Sequence, residues 1–389
     1  MSDAEPSQLT NKDIMTQSDA PVEKFSSNLI TEKHQDALPD YRDLFPGNRL
    51  LPSAVSLLER FNSGKDPDKK PRYNFVLQNH KGEKNAESAF EKAKNCDVIC
   101  YEWSGVPLEE KELFTEYLNL NAQGILPEES QAEIIRWLQE EDPDDPHYLL
   151  IKFFNELRGS NKIFVLLDIC KEDPIGEATE MAYEAADDEL GETMYNGSST
   201  LQILRDATLS SLRRDAAYIG HRDSVSTAQL AELDTYLDGH DLDVGVFEGI
   251  EHEEPSQNFE RSNKVVTRSF IPTDPTPGVD VRQNISTNAR QVIRAGQELL
   301  PSLIDRVLVE YYINWGGRAI DGFAQAKQND HGFLARQLEE INDSQIQEGI
   351  EEVLTLIRDE RQDENPSGLD VKVSRLLINK FGIQTSTRT

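Results

Sequence analysis

Five apolar runs punctuate an otherwise polar chain, each with the length and composition of a buried strand. Tyr73-Asn74-Phe75-Val76-Leu77 comes first and ends, within a few residues, in His80. Val98-Ile99-Cys100-Tyr101 ends directly in Glu102. Lys162–Cys170 is the most continuous, with Ile163-Phe164-Val165-Leu166-Leu167 unbroken before Asp168. Val244–Phe247 leads through Gly249-Ile250-Glu251 to His252, and Lys264–Ile271 is the last. Between these runs the apolar spacing turns helical over Pro52–Arg60, Asn85–Lys94, Glu109–Asn119, Glu128–Glu141, His147–Leu157 and a long stretch from Ser199 to Leu237. Beyond Pro277 it is helical throughout: Ala289–Leu300, Leu303–Asn314, Ala319–Ile341 and Ile346–Asp359.

This alternation predicts an α/β fold: a mainly parallel central sheet flanked by helices, followed by a helical C-terminal region. Residues 1–48 are polar, acidic and without a period, and are expected to be a disordered or loosely ordered tail. Residues 49–275 are expected to form the α/β domain, and residues 276–389 the helical region, packed on the sheet domain or mediating homo-oligomerisation. The stretch 73–101 has the size, about 30 residues, of a right-handed β-α-β crossover. Residues 107–145 read as a helical insertion, expected to cover the sheet's rim as a lid.

Charge and composition then narrow the function classes. The net charge of −31, spread along the whole chain, repels phosphate backbones and disfavours nucleic acid as a partner. No apolar stretch reaches the ~18–20 residues that span a bilayer, and Met1–Pro6 has neither the basic nor the apolar part of a secretory signal. Cys96, Cys100 and Cys170 all fall in or beside apolar runs, as buried reduced thiols do. A cytoplasmic protein with no membrane partner is the expectation.

The chemistry lies where the strands end. In parallel sheets the carboxyl ends of the strands line one rim, and ligands bind there. His80, Glu102 and His252 each follow a strand, so the topology is expected to gather them. Two imidazoles and a carboxylate can hold a divalent metal with positions left for water and substrate. Without a metal, a histidine paired with Glu102 is a general base for water. Asp168, at the end of the most apolar run, reads either as a site residue or as a structural partner for backbone amides. His221 in Gly-His-Arg-Asp and His240 in Gly-His-Asp read either as a hydrophilic metal site or as polar helix-end loops. Glu248, Glu251, Glu253 and Glu254 surround His252 with negative charge, which favours cation binding or raises its pKa, though an exposed acidic loop is the plainer account.

The order of these features resembles the TraB/Tiki superfamily, with its ChaN-like and erythromycin-esterase-like relatives. That pattern is a Gly-x-x-His after the first strand, a Glu ending the second, an Arg on a later helix (often Arg-Asp), and a second Gly-x-x-His. The resemblance covers residues 73–272 and implies catalytic roles for His80, Glu102, Arg205 and His252. It also implies a metal held by His80, Glu102 and His252. The second motif, Gly249-Ile250-Glu251-His252, is intact, whereas Leu77-Gln78-Asn79-His80 lacks its glycine. The arginine is Arg205 or Arg214, each followed by aspartate; Arg205 is preferred because Leu209 stands three positions after Asp206.

The resemblance implies a hydrolase that activates water, with or without a divalent metal, to cleave a peptide, ester or lactone bond in a peptide or small-molecule substrate. The alternatives on the same scaffold are a non-catalytic binding or regulatory protein, which the missing glycine favours, and a haem- or iron-binding protein.

Overall fold

The protein is described here by a computed structural model over residues 38, 40–78, 82–140, 147–249, 251–271, 285–317, 319–320, 323, 333–361 and 368–384. Strands β1 (Arg72–Gln78), β2 (Val98–Glu102), β3 (Ile163–Leu167), β4 (Asp243–Gly249) and β5 (Val265–Ile271) correspond to the five apolar runs. They form one sheet in the order β3-β2-β4-β1-β5, and every pairing is parallel. The fold is therefore α/β with a helical C-terminal region.

The strand order departs from the simplest crossover. β1 and β2 are not neighbours, because β4 lies between them. β4 is built for that central place: Val244, Val246, Phe247 and Glu248 are fully buried. Gly245 lets neighbours close on the strand, since a Cβ there would lie 2.7 Å from Cys96 Sγ.

Alternation along the strands gives the sheet two apolar faces. One carries Val76, Ile99, Tyr101, Phe164, Leu166 and Phe247 under the helices Glu83–Ala93, Leu108–Ala122 and Tyr148–Glu156. The other carries Tyr73, Phe75, Val98, Cys100, Val165 and Val246 under Leu58, Phe259 and the end of the helix Leu201–Leu237. Residues 107–145, expected as a lid, instead contribute to this core: Phe114, Leu118, Ile134 and Leu138 are buried in the first face. Residues 141–146 of that stretch lie outside the described residues. The three cysteines are free and buried, and burial pushes the Cys96 thiol up to about 11.

Two compact units make up the chain: Asp36–Glu184 with Ala217–Arg282, which holds the sheet, and a helical unit that includes Ala185–Ala216 with Gln283–Thr389. The helical unit thus takes residues 185–216 from the stretch assigned to the sheet domain by pattern alone. Its helices include Ile285–Arg294, Pro301–Gly317, Asp343–Glu360 and Leu369–Phe381. The last of these lies within the expected helical region but beyond the four stretches named in it, and Gly368 and Gly382 bound it in the left-handed conformation that favours glycine. Among the described residues no helix is long and apolar enough to cross a membrane.

The helices Pro301–Gly317 and Leu369–Phe381 approach closely at Gly316, where a Cβ would run into the Asp370 carbonyl and the Ser374 hydroxyl. Alanine is favoured over glycine inside a helix by about 1 kcal/mol, but overpacking against backbone costs ~1–3 kcal/mol. The clash wins, so Gly316→Ala is expected to lower the melting temperature; an unchanged or raised value would show that the two helices part without cost.

Candidate active site

Three adjacent strands deliver the site. Glu102 is the last residue of β2, Asp168 follows β3 directly, and His252 closes a turn after β4, its N–H donating to the Gly249 carbonyl (2.9 Å). One ligand atom from each of Glu102, Asp168 and His252 lies within 4.8 Å of the others. Among the described residues this is the one group of histidine, cysteine or carboxylate side chains placed to hold a metal ion.

A buried guanidinium joins the two carboxylates. Arg222, from the helix Leu201–Leu237, donates from Nη2 to Glu102 Oε1 and to Asp168 Oδ2, both at 2.5 Å. Its Nε donates to Asp168 Oδ2 at 3.0 Å. Burial opposes the charge on Arg222, but Asp168 and Glu102 hold its pKa well above the ordinary value. The Tyr218 ring lies under the guanidinium, 5.5 Å from its carbon. Glu102 Oε2 accepts the Gly249 N–H, which ties the end of β2 to the end of β4.

Asp168 reaches this position through an unusual backbone. Its φ of 83° is left-handed, a conformation that costs a non-glycine residue ~1–2 kcal/mol but that aspartate tolerates best. Surrounding hydrogen bonds hold it there. The Asp168 N–H donates to Gln229 Oε1 (2.7 Å), and its carbonyl accepts from Lys111 Nζ (2.6 Å) and Gln229 Nε2 (3.2 Å). Lys111 is itself buried, and burial pulls its pKa down to about 8. Asp168 thus contributes a carboxylate to the group while Gln229 and Lys111 hold its own backbone.

His252 is held from both sides. Nδ1 lies 2.5 Å from Asp223 Oδ1 and Nε2 lies 3.4 Å from Glu102 Oε1. An ionised carboxylate only accepts, so the short contact places a proton on Nδ1 and turns Nε2 toward Glu102. Burial alone would lower the imidazole pKa; Glu102 and Asp223 raise it to about 10. Glu248, expected in an exposed acidic loop, is instead a fully buried residue of β4.

The remaining expected residues are placed as follows. His80 lies outside the described residues. Arg205 is not brought to Glu102. It belongs to the helical unit, where Nε and Nη2 form a fork on Asp305 (2.7 and 2.6 Å), and Arg214 is exposed. The arginine at the strand ends is Arg222, in a third Arg-Asp pair on the same helix. Its signal was present: the following turns carry Leu230, Leu233 and Leu237, which face the sheet. His221 pairs with Asp173 (2.5 Å) and His240 with the Phe61 carbonyl (2.8 Å), neither as part of the group above.

Comparison with known protein families, with curated proteins and with solved structures returns no match for this chain. The functional argument therefore rests on the site's own chemistry.

Removing one partner of a buried ion pair strands the other, at a cost of ~3–5 kcal/mol. Arg222→Met is expected to lower the free energy of urea unfolding by that order, because two carboxylates lose their counter-charge. Adding Asp168→Asn to Arg222→Met should recover part of the loss. A single-mutant loss below ~1 kcal/mol would mean that solvent already screens the pair.

Proposed function

We propose that this protein is a hydrolase of the TraB/Tiki and erythromycin-esterase type that its residue order resembles. It activates water at Glu102, Asp168 and His252 to cleave a peptide, ester or lactone bond. The observation that carries the proposal is the convergence of three ligand atoms within 4.8 Å at the carboxyl ends of adjacent parallel strands.

The residues fit a divalent ion. A histidine that ligates a metal through one nitrogen commonly gives its other N–H to a carboxylate, as Nδ1 of His252 gives its proton to Asp223. Each carboxylate oxygen has more than one lone pair, so Glu102 and Asp168 can accept from Arg222 and still ligate. A bound divalent ion would bring the pKa of its water toward ~7. Arg222 supplies fixed positive charge where an oxyanion develops. Its Nε and Nη2 are spent on the carboxylates, which leaves Nη1 as the nitrogen to meet a substrate oxygen. Asp223 holds the imidazole ring in register.

A second reading is favoured by one observation. Arg222 with Glu102 and Asp168, and His252 with Asp223, already satisfy one another, as in a non-catalytic binding scaffold.

Purified protein, stripped with a chelator and resupplied with Mn²⁺ or Zn²⁺, is to be assayed on a panel of peptide, aryl-ester and lactone substrates. The hydrolase reading expects metal-dependent turnover, reduced at least ~100-fold in Glu102→Gln and His252→Ala. A silent panel with correctly folded protein, or full activity in both variants, gives the position to the non-catalytic scaffold.

A further inference from the structure

One side chain beside this group has no hydrogen-bond partner among the described residues. Both carboxylate oxygens of Glu248 are buried and, among the described residues, accept no hydrogen bond. The residue is 0% exposed, in the strand at the centre of the sheet. Burying a polar group unsatisfied is expensive, and the great majority of buried side-chain polar atoms find a partner. Such an orphan calls for a ligand, and its position says which.

Glu248 lies on the sheet face that carries Glu102, one strand away. Tyr101 of β2 and Phe247 of β4 are register partners, so the next residues, Glu102 and Glu248, lie on the same sheet face. That is the face of Cys100 and Val246, over which the helix carrying Arg222 and Asp223 packs. The charged groups that Glu248 senses are His252, Glu102, Asp223 and Asp168, the members of the group itself.

We propose that Glu248 is a fourth protein ligand of the divalent cation held by Glu102, Asp168 and His252. The inference rests on the metal-binding part of the function proposed above and extends it. Three carboxylates and one imidazole form an oxygen-rich donor set, which suits a hard cation of the Mn²⁺ class better than a thiolate-preferring one. Glu248 then exchanges an unpartnered burial for a metal–oxygen bond. A cation of this class takes about six ligands, so four from the ends of β2, β3 and β4 would still leave room for water.

Full-length protein, stripped of metal, is to be titrated with MnCl₂ by calorimetry and by Mn²⁺ electron paramagnetic resonance. Its melting temperature is to be followed with and without the ion. The expectation for wild type is one bound Mn²⁺ per chain and a metal-induced rise in melting temperature. Glu248→Gln should bind Mn²⁺ at least ~10-fold more weakly. Without metal it should melt no lower than wild type, because the amide removes a buried unpartnered carboxylate. A merely structural Glu248 predicts the reverse: a metal-free variant that melts lower, with unchanged Mn²⁺ affinity. Wild-type affinity in Glu248→Gln, alongside lost binding in His252→Ala, overturns the role of Glu248 and leaves the three-ligand site standing. If wild type takes up no divalent ion, both fall.

Discussion

Compensation of buried charge is the constraint on which the end of the sheet depends. Glu102 ends one strand and Asp168 follows its neighbour, both largely removed from water, where an unpaired carboxylate would be costly. Arg222 resolves this by lying across both, and its helix is thereby fixed against β2 and β3. The Asp223–His252 pair and the Gly249 N–H to Glu102 extend the same logic to β4. Removing one member would leave its partners uncompensated, so the network specifies a single arrangement of three strands and one helix. Such a network is weak evidence for stability, because well-packed apolar residues can replace a buried ion pair without loss.

The topology makes this network possible. With β4 inserted between β1 and β2, the strands that carry Asp168, Glu102 and the Gly249–His252 turn stand side by side. Had β1 and β2 been neighbours, the β4 turn would lie one strand farther from Asp168. The place of β4 follows from its composition. Val244, Val246 and Phe247 need cover on both faces, and Gly245 accepts a close neighbour that a side chain would exclude. Glu248 is the exception in that strand, a carboxylate at a position that otherwise demands an apolar side chain.

The long helix Leu201–Leu237 shows how position along one element separates roles that look alike in sequence. Arg205-Asp206, Arg214-Asp215 and Arg222-Asp223 repeat the same dipeptide. Arg205 is engaged by Asp305 in the helical unit, whereas Arg222 is engaged by the strand-end carboxylates in the sheet unit. The dipeptide carries no information about which partner it will meet. The apolar residues on the following turns do, because they set the face the helix presents to the sheet.

Much of the molecule was determined by the sequence itself. Five apolar runs of strand length gave the sheet, and their ends located Glu102, Asp168 and the Gly249–His252 turn at one rim, because parallel strands all point their carboxyl ends the same way. Hydrophobic periodicity is a local property and could be read locally. Strand order, the choice of Arg222 over Arg205, and the burial of Glu248 were decided only by tertiary structure. Each depends on which surfaces meet at long range: Asp168 lies 54 residues from Arg222, and Glu102 lies 120. A glutamate followed by Glu251, Glu253 and Glu254 reads as solvated in one dimension. Only the neighbouring strands and the covering helix, brought together by packing, take it out of water and place it on the face that carries Glu102.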